Sequence, residues 1–473
     1  MKPISFIHRA VKACPSSRFG GRSSLFCVGI FLVTAPLAQA QEPIPLDSLV
    51  AETVARNPEL KFYQAEIAAA RGGRMTAGEF ANPELSAQLG GKSVDDLGGN
   101  KLGDGPVWAL SLAQKFEFPG RVNLRKAIAN HEIALAQLGL EQFRNALAMR
   151  TRALGYKLLG ARQQAAAARE VSKRFEDLLA VLVQRDAAGV APLLERRIIE
   201  SSAFTHRRRA SQATIEARNA QFELNQLRGL PVSTPVEVER TPLPLQNVPV
   251  LESLFGNARK RNFELRARIV ELGQQGLRVD LSETEKWPSI TVAPFVAGER
   301  ASDRQTAFGI GVTLPLPLMN KNAGGIATAK ARKAQAEVSV NATLRDVERK
   351  IAEARHTYEV YVAEMGKWPA DVAETFRDAA LKGDENYRLG ALPIATYTEL
   401  QTQYLDSLDT LLATQLDTLE ARQQLEMLSG MNLGDAPPLS KAAIDEPVPS
   451  AKPPVIIRPA KAKVAPTLRK HNR

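Results

Sequence analysis

The constraint that most narrows the fold is that the chain repeats itself. RNPELK at 56–61 returns as RNFELR at 261–266, an offset of 205 residues. Asn82-Pro83 corresponds to Trp287-Pro288 at the same offset, and the run Trp108 to Phe118 corresponds to Phe308 to Leu318 at an offset of 200. Gly189 and Pro192 match Gly390 and Pro393 at 201, as LRGL at 227–230 matches LSGM at 428–431. Five landmarks in one order and at nearly one spacing define a unit of about 200 residues, far longer than a solenoid repeat. A fold for this chain must be built from two similar halves.

Each half has the same layout. An amphipathic helix is expected first, at 46–79 and 250–285. Two strands follow, within 82–118 and 288–318, around the polar turns KSVDDLGGNKLGDG and GERASDRQ. Next come a long helix at 122–187 or 323–388, a Gly-x-x-Pro turn, and a returning helix at 192–229 or 393–430. The two repeats are bounded at 41–245 and 246–434. Ile133, Leu140, Leu147 and Leu154 fall seven apart, and Val340, Leu344, Val347, Ile351, Ala354, Tyr358, Tyr361 and Met365 alternate steps of four and three. That period keeps one seam facing its neighbours in a left-handed supercoil. At about 1.5 Å per residue each long helix reaches roughly 100 Å, a length for a tube wall or a strut. Gly189 and Gly390 suit the left-handed residue that ends a helix, and Pro192 and Pro393 the first turn of the next, predicting a tight hairpin at each tip.

The strands carry the second constraint. Phe308, Ile310, Val312, Leu314, Leu316 and Leu318 alternate with Gly309, Gly311, Thr313, Pro315 and Pro317. The first repeat has Trp108, Leu110, Leu112, Phe116 and Phe118 against Ala109, Ser111, Lys115 and Glu117, with a weaker pattern at Leu85, Ala87, Leu89, Ile290 and Val292. Large apolar residues on one face and small or polar ones on the other suit an outer-membrane barrel strand, and about 9–11 tilted residues cross a bilayer. This pattern assigns Trp108, Leu110, Leu112, Phe308, Ile310, Val312 and Leu314 to lipid. Open sheet edges are costly in lipid, and four strands are too few for a single-chain barrel. The chain must then join other copies, and periodicity leaves eight, twelve or sixteen strands open.

Composition agrees with long helices more than with a compact core: aromatic residues are only 6% of the 473. Residues 1–40 read as an export signal, with five basic residues and no acid, an apolar run from Leu25 to Leu37, and an Ala38-Gln39-Ala40 cleavage site. Both cysteines, Cys14 and Cys27, fall in that leader, so the mature chain is expected to have no disulfide, thiol nucleophile or thiolate metal site. Of the net charge of +11, the leader carries +5 and residues 441–473 carry +6, so the rest is near neutral and gives no reason to invoke nucleic acid. The Pro- and Lys-rich tail at 435–473 is expected to be disordered. His8, His131, His206, His356 and His471 form no close-spaced ligand pair, and no phosphate loop or nucleophile elbow occurs, so neither metal, cofactor nor catalysis is expected.

The twofold series of helix, hairpin, long helix, tip and returning helix resembles the TolC-type outer membrane efflux proteins over the whole chain up to about residue 434. The junctions LPLPLMNKNAGG and FEFPGR are most similar to the CzcC-like branch, which serves heavy-metal efflux. The resemblance implies a homotrimer in which four strands per chain form a twelve-stranded outer-membrane β-barrel above a periplasmic α-barrel. It also implies two partners, a periplasmic membrane-fusion adaptor and an inner-membrane resistance-nodulation-division transporter. In the family, acidic residues shortly after each tip glycine narrow the entrance; here Glu195 fits, Thr396 departs, and Glu399 supplies a second acid. The tip residues Gly189, Val190, Ala191, Pro192, Leu389, Gly390, Ala391, Leu392 and Pro393 are apolar and are expected to be solvent-exposed, which suits adaptor docking. The implied function is a passive exit duct for metal cations. Multidrug efflux or type I secretion uses the same fold. A periplasmic adaptor or coiled-coil scaffold leaves the second hairpin or the alternating strands unexplained.

Overall fold

The computed structural model describes residues 43–186, 193–240, 245–301, 303–369 and 371–433. The leader at 1–40, the tail at 435–473 and the first tip, Gly189 to Pro192, lie outside the described residues. The first repeat contains α1 (Leu46–Arg56), α2 (Leu60–Ala77), β1 (Glu84–Asp95), β2 (Lys101–Phe116), α3 (Arg121–Asp186) and α4 (Leu193–Arg228). The second contains α5 (Leu251–Arg261), α6 (Phe263–Thr284), β3 (Ile290–Arg300), β4 (Arg304–Thr313), α7 (Ala323–Lys367), α8 (Val372–Arg388) and α9 (Ile394–Ser429). The architecture is thus mainly helical with four antiparallel strands. Among the described residues no helix is long and apolar enough to cross a membrane.

The repeated sequence landmarks are contacts. The helices expected at 46–79 and 250–285 are each broken, at Asn57 and at Asn262, where the backbone turns extended with ψ of 125° and 126°. Each asparagine is buried and uses both ends of its amide. Asn57 Nδ2 donates to Leu227 O at 2.8 Å while its Oδ1 accepts from Glu59 N; Asn262 Nδ2 donates to Leu428 O at 2.9 Å while its Oδ1 accepts from Leu265 N. The first landmark therefore caps α6 through Asn262, turns the chain into α2 through Asn57, and in both repeats satisfies a terminal carbonyl of the returning helix, which the last landmark supplies. Gly229 and Gly430, at φ of 67° and 66°, end those returning helices against Pro58 and Arg261. Pro58 alone does not explain the break, because Phe263 follows the second asparagine.

The strands form one sheet of order β1-β2-β3-β4, so β2 and β3 join the two repeats. The first expected turn is mostly strand: only Asp96 to Asn100 lie outside β1 and β2, and Asp96 Oδ1 there accepts from the backbone N–H of Gly98 and Asn100. Cross-strand pairing outweighs the weak strand preference of the glycines. The strand expected over Phe308 to Leu318 stops at Thr313, leaving Leu314 outside the ladder. Pro315 and Pro317 have no N–H to give, and β4 is an edge. The corresponding end of β2 stays paired, Phe116 opposite Ile290.

The long helices differ. α3 is a single helix of 66 residues, as its heptads predict. The helix expected over 323–388 is broken between α7 and α8 at Pro369, whose ring and missing N–H oppose a helix interior and which drives Trp368 to ψ of 129°. The seams otherwise bury as expected at Leu147, Leu154, Val347, Ile351, Ala354 and Tyr358, with Ile133, Leu140, Val340 and Leu344 half-buried. After Tyr358 the seam steps by four to Val362, so Tyr361 and Met365 are only half-buried. Two cores repeat with the sequence: Leu49, Ala220 and Leu224 in one stand where Leu254, Ala421 and Leu425 stand in the other. Burying each such leucine contributes about 1.5–3 kcal/mol. A third core, of α3, α4, α8 and α9 residues, joins the repeats around Phe175, Tyr397 and Leu405.

Candidate functional site

The sheet is the first candidate surface. Paired residues of antiparallel strands share a face, so the register sorts the side chains. Leu85 lies opposite Leu112, Ala87 opposite Leu110 and Leu89 opposite Trp108. Leu110 lies opposite Val296, and Val296 opposite Phe308; Pro294 lies opposite Ile310 and Val292 opposite Val312. One face is therefore apolar across all four strands, and it is open: Phe308 is 86% exposed, and Trp108, Leu110, Leu112, Ile310 and Val312 are exposed with it. The other face carries Ala109, Ser111, Ala113, Gly309, Gly311 and Thr313, with a Lys92–Glu299 ion pair at 2.6 Å crossing over β2. Two glycines are explained by aromatic rings lying over them, Trp108 over Gly298 on the apolar face and Phe295 over Gly309 on the other. All the strand residues assigned to lipid from sequence sit on the apolar face except Leu314, which is exposed but beyond the end of β4.

The α8–α9 tip is the second. Gly390 has φ of 74°, its N–H donates to Tyr387 O, and the Ala391 N–H donates to Asn386 O, a pairing that closes the end of α8. Leu389, Ala391 and Pro393 are exposed there, but Leu392 turns inward onto the core around Tyr397 and is not free for docking. Pro393 stands just before α9 in extended backbone instead of inside its first turn. Glu195 is half-buried in the first turn of α4, whereas Thr396 and Glu399 are exposed on α9, with Glu399 Oε1 accepting from Gln403 at 2.7 Å. Sequence reading missed Leu193 and Leu194, which open α4 with both side chains exposed.

It also missed how the tip is held. Arg174 of α3 donates to Glu170 at 2.7 Å and to Gln401 of α9 at 2.9 Å. Arg209 of α4 bonds Asp406 at 2.7 Å and also Asp409, which accepts from Gln164 of α3. Beside these ion pairs runs a row of rings: Tyr387 stacks on Tyr397 and Phe175 on His206, with centroids 4.9 and 4.7 Å apart, and Tyr397 meets Phe175 at a 51° tilt with centroids 5.2 Å apart. Burial, and then the nearby Arg209, push the His206 pKa down to about 4, so the ring is neutral at neutral pH. Burial, and then Asp384, push the Tyr397 hydroxyl up. These partners are some 200 residues apart, so no local spacing announces them. Among the described residues no group of three or more His, Cys, Asp or Glu side chains could hold a metal ion.

No protein-family model matches the chain, and no curated protein matches it. Solved structures do. The outer-membrane channel OprN matches with a TM-score of 0.65 at 17% identity, over 82% of this chain and 90% of that one. The Campylobacter jejuni CmeC outer membrane channel matches at 0.67 and 14%, over 81% and 85%. CusC, solved in connection with folding and transmembrane channel formation, matches at 0.62 and 15%, over 81% and 91%. The chain has the fold of these outer-membrane channels.

Proposed function

We propose that the chain is the outer-membrane channel of a tripartite efflux pump, a passive, non-enzymatic duct whose cargo is heavy-metal cations. One observation carries the channel reading: an open four-stranded sheet, apolar and exposed on one face, continues into helices up to 66 residues long. The apolar face suits lipid, and the face of small and polar residues suits a wet lumen. Both free edges, β1 and β4, must be paired before the sheet enters a bilayer. Three copies supply twelve strands, and their helices line a periplasmic tunnel. Leu389, Ala391 and Pro393, with the predicted first tip, face the adaptor, and Glu195, Thr396 and Glu399 stand at the entrance. The metal cargo rests on the likeness of LPLPLMNKNAGG and FEFPGR to the CzcC-like branch.

Fractionation with native mass measurement tests the channel reading: the protein should come from the outer membrane as a trimer, and a soluble periplasmic monomer refutes it. Deleting the chain and scoring growth on zinc, cobalt, cadmium, nickel or copper against hydrophobic drugs tests the cargo. Sensitivity to metals alone is expected; sensitivity to drugs alone assigns a drug duct, and a lost secreted protein assigns a secretion duct.

A further inference from the structure

We propose that Arg278 of α6 and Arg332 of α7 form an oxyanion-binding site on the inner wall of the duct, close to the sheet, repeated in every copy as a basic collar. This rests on the reading of the chain as a channel and adds the charge of the species that the passage favours.

The site is a cavity of about 540 Å³ that both repeats line with the same face. α2 lies against α3, α3 against α6 and α6 against α7, so the four helices form a row. Gly73 and Ala77 of α2 line the cavity, and so do their equivalents 205 residues later, Arg278 and Ser282 of α6. Ala129 and Glu132 of α3 line it together with Ala329 and Arg332 of α7, 200 residues later. A row of helices whose equivalent faces converge on one hollow is bent toward that hollow. The side toward which such a row bends is the inside of the tube it closes. The sheet points to the same side. Arg125, which also borders the cavity, donates to the two carboxylate oxygens of Glu117 at 2.8 and 2.6 Å. Glu117 follows Lys115 by two residues, in the alternation that puts Ser111 and Ala113 on the face of small and polar residues.

Charge separates the two repeats within this shared frame. Where α2 has Gly73, α6 has Arg278; where α3 has Glu132, α7 has Arg332. Arg125 is committed to Glu117, and Glu132 accepts from Gln274 at 3.2 Å. Among the described residues, Arg278 and Arg332 make neither an ion pair nor a side-chain hydrogen bond. Both also border a second hollow, of about 430 Å³, so the two guanidiniums face one space. Glu271 beside that hollow is held by Arg268 at 2.8 Å. Two uncommitted guanidiniums, with the hydroxyls of Ser282 and Thr328 in the same wall, are a donor set for a phosphate or carboxylate group. Three copies repeat the pair around the wall. A ring of arginines admits anions and opposes bare cations, so metal cations cross this level with accompanying anions.

A spin label on Thr328→Cys reads the site in the full chain in membranes, with Cys14 and Cys27, the only two cysteines, replaced by serine. Its relaxation is measured with a neutral nickel chelate and with the trianionic chromium oxalate complex. Nickel reports access, and the ratio of chromium to nickel reports the local concentration of an anion. R278Q/R332Q should lower that ratio at least about ten-fold and leave nickel access unchanged. Inorganic phosphate should lower the chromium relaxation of the labelled parent at least about two-fold more than potassium chloride of equal ionic strength, because chloride only screens and phosphate also occupies the forks. That difference should vanish in R278Q/R332Q. Three results overturn the proposal alone, in a chain that native mass measurement shows to be oligomeric: a ratio unmoved by R278Q/R332Q, phosphate acting no better than chloride, or a label that nickel does not reach. A monomer by native mass overturns the channel reading beneath it.

Discussion

The two repeats share a layout and differ most in one helix. In the first, α3 runs unbroken for 66 residues; in the second, the same span is divided into α7 and α8 around Pro369. The helices beside the strands are alike, down to Asn57 and Asn262 and the carbonyls they bind, while β4 ends at Thr313 and β2 runs on to Phe116. The difference confines a break in the helix to the second repeat, where α8 separates it from the Gly390 turn. Arg174 and Arg209 of the first repeat grip Gln401, Asp406 and Asp409 of α9 and keep the two in register at that end.

The comparison can be broken or sharpened by substitution. The largest effect belongs to the feature the repeats share most fully, the apolar sheet face. Leu110→Arg and Ile310→Arg should each cost about 2–4 kcal/mol per copy at mid-membrane and abolish recovery of oligomer, while Ser111→Arg and Gly311→Arg on the other face are milder. Equal damage from both faces would refute the assignment of sides. Next, Ala168→Pro, at the position in α3 that corresponds to Pro369, should import the break into the first repeat. It should cost about 3 kcal/mol or more, read as a lowered unfolding midpoint. Asn57→Ala and Asn262→Ala strand the carbonyls of Leu227 and Leu428 and should each cost about 1–3 kcal/mol, by similar amounts; a several-fold disparity would show that the knots are not equivalent.

A smaller effect is pH-dependent and lies where the repeats meet. The folded His206 pKa of about 4 is below the ordinary 6.5, so the unfolded chain binds the proton first. Stability contributed by the neutral ring is full above pH 6.5 and is lost as pH falls toward 4. Between pH 6.5 and 5 the loss should be about 1–2 kcal/mol, and His206→Gln should flatten that slope. The smallest effect is expected for Pro369→Ala. It should change stability by less than about 1 kcal/mol. Spin labels placed across the junction should nevertheless report a straighter helix, as in α3.

Much of this was legible in the sequence because it depends on local period and on repetition. The alternation at Trp108 to Leu112 and Phe308 to Val312 reported the exposed sheet face, and the Gly390 turn reported the tip. The breaks were less legible because they are decided by competition. Heptad spacing ran straight through Pro369, whose single ring outweighed it. The asparagines of RNPELK and RNFELR looked like ordinary helix residues until the returning helix brought Leu227 and Leu428 to them. Strand length was misjudged at both ends of the sheet: pairing carried β1 and β2 into glycine-rich sequence, whereas Leu314 to Leu318 had no partner strand and two prolines. Leu392 was read as exposed because its inward contact is with residues of the joint core, which sequence adjacency does not show.

The central claim is that one face of this sheet meets lipid and the other meets water. Single spin labels at 307–312 of β4, in the cysteine-free chain in membranes, test it most directly through relaxation by oxygen and by a water-soluble nickel chelate. Labels at Phe308, Ile310 and Val312 should respond to oxygen and not to nickel, and labels at Ala307, Gly309 and Gly311 should do the reverse. The absence of that two-residue alternation, or nickel access on both faces, would contradict the account.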